Sequence, residues 1–199
     1  MKCFASDKAT VFRRIGSIDL VIVDTRRVAL WPLLRDLSSA ERRQWRAIRA
    51  RKMATLFLAS RAMALPMAQL LNKQNRRVIR LSSGQPVLRK GFISISRCYP
   101  FVVFALAQKP VGVDLELIRG DDDLINAVAP LFSPEEQSII RKSAARPSSF
   151  CWVWSRKEAL VKRDGAGICA DLAAFDTLQP RIGLRSFQLH GKYWLSMAG

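Results

Sequence analysis

The chain has 199 residues, with 33 Lys and Arg against 16 Asp and Glu, and a formal net charge of +17. Its 49% hydrophobic content can supply a sizeable core for one large domain or two small, closely packed ones, which excludes a disordered polymer. No apolar run approaches a membrane span, and the four scattered cysteines have neither CxxC spacing nor the density of a disulfide scaffold.

In chain order, residues 1–17 are basic and mixed and carry no clear element, nor an apolar segment followed by a small-residue cleavage site. A reducing, cytoplasmic setting is the expectation. Ile18 to Val23 reads as a first strand, and Trp31-Pro32 as a turn or a short start before the first helical region. Ser38-Ser39-Ala40-Glu41 is a capping box, in which the Ser side chain and the Glu three residues on satisfy free backbone donors. Helical patterning continues to about Leu71, with a break or kink expected at Pro66. The basic run ERRQWRAIRARK within it suits a solvated helix face and an anion-binding surface equally well. Val78 to Leu81, the turn Ser83-Gly84-Gln85-Pro86, Val87-Leu88, Phe92 to Ser96 and Phe101 to Ala107 then read as short strands and tight connections. Together they predict an antiparallel sheet beside a long helix, an α+β layout.

Val111 to Glu116, VGVDLE, puts Val111, Val113 and Leu115 on one face of a strand and Gly112, Asp114 and Glu116 on the other. Carboxylates two residues apart, about 6.6 Å along a strand, can converge on one divalent cation; a half-exposed strand with a polar outer face has the same pattern. Asp121 to Asp123 opens a helix through Leu131, where acidic residues complement a helix N-terminus. Ser133-Pro134-Glu135-Glu136 restarts one, with Ser at N-cap, Pro at N1 and Glu136 at N3. Phe150 to Ile168, FCWVWSRKEALVKRDGAGI, is a further helix, capped by Ser148 or Ser149 and stopped by Gly165 and Gly167. Trp154, Glu158 and Lys162 follow at four-residue spacing and share one face. Phe187 to Leu189, the Gly191-Lys192 turn and Tyr193 to Met197 close a hairpin, with the single histidine, His190, at the turn rather than in a site.

Two of these stretches together resemble the Sfp-type 4′-phosphopantetheinyl transferase family. They are Gly112-Val113-Asp114-Leu115-Glu116 and, roughly forty residues on, Trp154-Ser155-Arg156-Lys157-Glu158-Ala159-Leu160-Val161-Lys162 closing with Gly165 and Gly167. The second signature is long and specific. Ser60-Arg61 matches a Ser-Arg pair on the family's first long helix. The resemblance implies an α+β fold of two similar halves, 1–108 and 109–199, in a pseudo-twofold arrangement with the active site in the cleft between them.

The implied activity is that of a magnesium-dependent transferase of the holo-[acyl-carrier-protein] synthase type. It moves the phosphopantetheine arm of coenzyme A to a serine of an acyl or peptidyl carrier protein, in fatty acid, polyketide or nonribosomal peptide synthesis. Asp114, Glu116 and Glu158 are the implied metal ligands, Glu158 also the base, and Lys162 the cation for the leaving phosphate. Lys157, Ser94, Ser96, Arg61 and Glu136 are the further implied coenzyme A-side residues. The implied partner is an acidic carrier protein, which gives the basic surface a use; a monomer without membrane attachment is expected.

The sequence departs from the family at three cations. Ile95 stands in place of a His that contacts the 3′-phosphate of coenzyme A, Gln85 in place of a Lys, and Ala54 in place of an Arg, while Phe92 replaces an Asn. Two rivals to the enzyme follow: a non-catalytic homologue that binds carrier protein or nucleotide, and a basic nucleic-acid-binding protein. The latter would need an aromatic-rich basic platform or a reading helix, and neither is evident.

Overall fold

The nearly continuous apolar runs of Ile18–Asp24 and Phe101–Ala107, buried at almost every position, place these strands, β2 and β6, at the centre of a four-stranded antiparallel sheet. The computed structural model describes residues 9–81, 84–165, 171–179 and 183–199, which excludes Cys3, Ser83, Gly167 and Cys169. The sheet order is β1-β2-β6-β5, with β1 at Thr10–Ile15 and β5 at Phe92–Cys98. Strand β1 corrects the expectation of no element before Ile18. Its four central residues are exposed, so it pairs through its backbone along one edge and lacks the buried alternation that marks a strand in sequence. Gly16, at φ +62°, makes the tight turn into β2.

Met1–Lys109 forms one compact unit and Pro110–Gly199 another. In the first, the helical stretch divides into α1 (Ser39–Ala47), α2 (Arg51–Ala62) and α3 (Ala64–Leu71). The capping box at Ser38 and Glu41 is present in full. The break at Ile48 to Ala50 was not expected from the pattern. It separates α1, which buries no residue, from α2, which buries six. A second break falls at Met63, three residues before Pro66: proline lacks the N–H that would bond to the Ala62 carbonyl, and its ring crowds that oxygen. By length and hydropathy Arg51–Leu71 could cross a membrane, contrary to the reading that no stretch approaches that length. Here Leu56, Ala59, Met63 and Met67 instead pack against Val21, Val102 and Phe104 of the sheet. Ile79–Arg80 (β3) and Pro86–Val87 (β4) form a small separate ladder.

The second unit is a three-stranded antiparallel sheet, β7-β9-β8, with β7 at Gly112–Leu117, β8 at Arg185–Leu189 and β9 at Tyr193–Ala198. Its helices are α4 (Asp122–Val128), α5 (Pro134–Lys142) and the 19-residue α6 (Arg146–Asp164). Asp121 caps α4, and the predicted continuation to Leu131 is a short 3₁₀ turn, Ala129–Leu131. Ser133 and Glu136 form the second capping box.

Helix α6 starts at Arg146, without a side-chain cap, rather than at Ser148 or Ser149. Those two hydroxyls are engaged elsewhere: Trp194 Nε1 donates to Ser148 Oγ at 3.0 Å, and Ser149 Oγ donates to Ser143 Oγ at 2.7 Å. The helix stops at Gly165, in the left-handed conformation at φ +69°.

Helix α6 lies against the face of β7 that carries Gly112, so this face is a covered one. A Cβ at Gly112 would stand 1.8 Å from the Ala159 carbonyl oxygen and 2.6 Å from the Arg163 nitrogen. Backbone therefore meets backbone there, and any side chain would push the helix away. Gly112→Ala is expected to lower stability by at least about 1–3 kcal/mol, read as an earlier urea or thermal midpoint with a soluble product.

Candidate active site

Alternation along β7 sends Asp114 and Glu116 toward α6 beside Gly112, and α6 meets them with Trp154, Glu158 and Lys162. Lys162 Nζ donates to Asp114 Oδ1 at 2.5 Å, from a lysine side chain 30% exposed to a carboxylate 5% exposed. Trp154 Nε1 donates to Glu116 Oε1 at 3.1 Å. The Trp154 ring is held in a stack with Phe132 and Phe150, its centroid 6.0 and 6.4 Å from theirs. Below the pair, Ser155 Oγ and Ser196 Oγ are 2.8 Å apart, and Ser196 Oγ is 2.9 Å from Ser186 Oγ. This hydroxyl chain ties α6 to both strands of the hairpin. Ser196 stands directly opposite Asp114 in the ladder.

Three carboxylates and one ammonium leave an excess of negative charge in a partly dry place. Burial, then the neighbouring Asp114, push the Glu116 carboxyl up to about 7, against the pull of Lys162 and the Trp154 hydrogen bond; Glu158 adds to the rise. Burial also pushes Glu158 above the usual carboxylate range, with Asp114 adding to the rise and Lys162 opposing it. Asp114 thus makes both Glu116 and Glu158 harder to ionise, and a cation would relieve those two. Among the described residues no group of three His, Cys, Asp or Glu forms a ready metal cage. Magnesium does not require one: it takes only a few carboxylates and completes its shell with phosphate oxygens and water. The donor set of hard, charge-excess oxygens fits such an ion.

Residues 110–197 match the sequence model of the 4′-phosphopantetheinyl transferase superfamily. The chain is 32% identical over 131 residues to the 4′-phosphopantetheinyl transferase psf-1 of Bacillus pumilus, covering 63% of this chain and 53% of that protein. It is 31% identical over 108 residues to a 4′-phosphopantetheinyl transferase of Bacillus subtilis, covering 52% of this chain and 46% of that one. The chain spans about half the length of these curated relatives.

Of the other residues taken from the superfamily signatures, Glu136 and Lys157 lie in this same unit, and Ser94, Ser96 and Arg61 lie in the N-terminal one. Glu136 and Lys157 form a fully buried ion pair, Nζ to Oε2 2.6 Å, on a side of α6 away from the carboxylates. In the N-terminal unit, Ser94 and Ser96 are buried on β5, while Ile93 and Ile95, which alternate with them, pack toward the α2 core. The two serines therefore face the opposite side of the sheet. Arg61 is on α2, its guanidinium 5.0 Å from the Phe57 ring centroid and its Nε buried without a hydrogen-bond partner. The three do not share one surface. Ile95, in the place of the superfamily's His, is half-buried against the core.

Ala54, in the place of the Arg, lines a cavity of about 610 Å³ whose walls include Trp31, Trp45 and Tyr99 and whose cations are Arg26, Arg51 and Lys52. Lys52 Nζ lies 5.3 Å from the centre of the Tyr99 ring. In sequence only the proximity of Arg51 and Lys52 to Ala54 hinted at this basic cavity. Thr177, which donates twice to Glu136, had no local signal at all.

For Glu116 the folded state holds its proton up to about 7, whereas the ordinary value is 4.5. Between those values the folded protein binds the extra proton, so this group's stabilisation is complete below 4.5 and is lost as pH rises through about 7. Glu116→Gln is expected to flatten the fall in thermal midpoint that the unsubstituted protein shows across that interval without added metal.

Proposed function

We propose that this chain is a 4′-phosphopantetheinyl transferase that moves the phosphopantetheine arm of coenzyme A to a serine hydroxyl of an acyl or peptidyl carrier protein. The observation that carries the reading is the convergence of Asp114, Glu116, Glu158 and Lys162 across the contact of α6 with β7. The serine oxygen attacks the β-phosphorus of coenzyme A, the bond from that phosphorus to the bridging oxygen breaks, and adenosine 3′,5′-bisphosphate leaves. Glu158, raised above the usual carboxylate range by burial, takes the serine proton, since a base works best when its pKa approaches the working pH. Lys162 places its ammonium against the charge that grows on the departing phosphate.

Asp114, Glu116 and Glu158 would hold a magnesium ion, whose charge neutralises the pyrophosphate when bound. The Trp154 indole fixes the Glu116 carboxylate, and burial of Asp114 at 3% exposure limits water on that side. With this reading goes the arrangement of two similar halves about a pseudo-twofold, with coenzyme A in the cleft between them.

The nucleotide end is proposed to be served by Arg51 and Lys52, whose cavity beside Ala54 offers aromatic walls and positive charge where superfamily cations are missing. The exposed arginines of α1, Arg42, Arg43 and Arg46, suit an acidic carrier protein. Retention of the whole reacting set favours an enzyme over a non-catalytic binder.

Intact-protein mass spectrometry of an apo carrier protein, incubated with this chain, coenzyme A and magnesium, is expected to show the gain of one phosphopantetheine arm. Glu158→Ala or Asp114→Ala should abolish the gain in a soluble, folded protein, and chelation of divalent metal should stop it until magnesium is restored. Near-normal turnover by either variant would refute the site. In the same assay, Arg51→Ala/Lys52→Ala is expected to raise KM for coenzyme A about tenfold with kcat within about threefold, the pattern for a binding contact uniform through the reaction.

A further inference from the structure

Lys157 precedes Glu158 in the signature, yet its surroundings leave it nothing to offer a phosphate. It and Glu136 have no exposed side-chain surface, at 0% each. An ammonium has three protons to donate, and Lys157 Nζ has three oxygens to receive them: Glu136 Oε2 at 2.6 Å, the Leu172 carbonyl at 2.6 Å and the Phe175 carbonyl at 2.8 Å. The Phe132 ring covers it, 5.1 Å from Nζ to centroid. Glu136 is equally committed. Its Oε2 also accepts from Ser133 N at 3.0 Å, and its Oε1 accepts from Thr177 N and Thr177 Oγ1 at 2.8 Å each.

One buried pair thus joins the first turn of α5, the middle of α6 and the segment 172–177. Arg156, one residue earlier, reinforces the last of these links by donating to the Thr177 carbonyl at 2.7 Å. A buried ion pair adds little net stability over apolar groups of the same shape. What several directional bonds to three separate segments do add is a single rotational setting of the helix between them.

We propose that Glu136 and Lys157, with Thr177, are positioning residues that fix the rotation of α6. They keep Trp154, Glu158 and Lys162 facing Asp114 and Glu116, and Lys157 does not touch the coenzyme A phosphates. The inference rests on the reading of that cluster as the reacting site.

The test uses the full chain with Lys157→Met, Glu136→Leu/Lys157→Met and Glu136→Gln. Three quantities are read: the thermal midpoint, the separate kcat and KM for coenzyme A, and hydrogen exchange of the Trp154 indole N–H, which reports the α6-to-β7 bond without any turnover. Lys157→Met strands the Glu136 charge and should lower the midpoint by about 10 °C, and the double variant should regain most of that loss. In the double variant kcat should fall at least about tenfold while KM stays within about threefold, with faster indole exchange. Glu136→Gln should give the same split in milder form, and decides the matter if the other variants do not fold.

A folded double variant with KM raised about tenfold and kcat kept would put Lys157 on the substrate and overturn the proposal. Unchanged kcat and unchanged indole exchange would overturn it as well. If the unsubstituted protein modifies no carrier protein while the indole responds as expected, the transferase reading fails and the clamp stands. Turnover with an unresponsive indole reverses that outcome.

Discussion

The C-terminal unit depends on one close approach, that of helix α6 to strand β7 at Gly112. No side chain separates the two backbones there, and the neighbouring positions on each element are brought within reach of one another. Asp114 can then meet Lys162, and Glu116 can meet Trp154. Widen the contact by one methyl group and the carboxylates of the strand lose their partners on the helix. The glycine of the strand signature is therefore as much a part of the site as its acids are.

Because the contact is so close, like charges are held together in a place of low polarity, and the unit tolerates this with a single lysine as counter-charge. Glu116 and Glu158 are both displaced upward, mainly by burial. The remainder of the unit supplies rigidity: the Phe132, Phe150 and Trp154 stack, the chain of serine hydroxyls and the buried Glu136–Lys157 pair. A cluster under this tension keeps its geometry only if the surroundings are stiff.

Much of this was legible in the sequence, and what was not has a common cause. The two capping boxes and the glycine stop of α6 depend on residues within one turn of each other, so spacing alone revealed them. The faces of β7 and α6 followed from their periods. The start of α6 did not, because Ser148 and Ser149 are claimed by Trp194 and by Ser143. Strand β1 was hidden because an exposed edge needs no apolar alternation, and the break between α1 and α2 because it serves packing rather than local preference. Lys157 and Glu158 are adjacent in sequence, yet successive helix residues point about 100° apart. A linear motif cannot say which of the two faces a ligand and which is sealed in the interior.

The pairing of β7 has a consequence for how the cluster comes into being. Among the described residues β7 has β9 as its sheet partner, Asp114 lying opposite Ser196, so the strand that bears the acids is completed by residues made roughly 80 positions later. Local helices can form while the chain is still being synthesised, but a ladder of such high contact order must wait for its distant half and closes slowly. During that wait Asp114 and Glu116 sit on an unpaired strand in water, where their charges cost little. The repulsion among the carboxylates belongs to the closed arrangement alone, with β9 paired to β7 and α6 packed over Gly112.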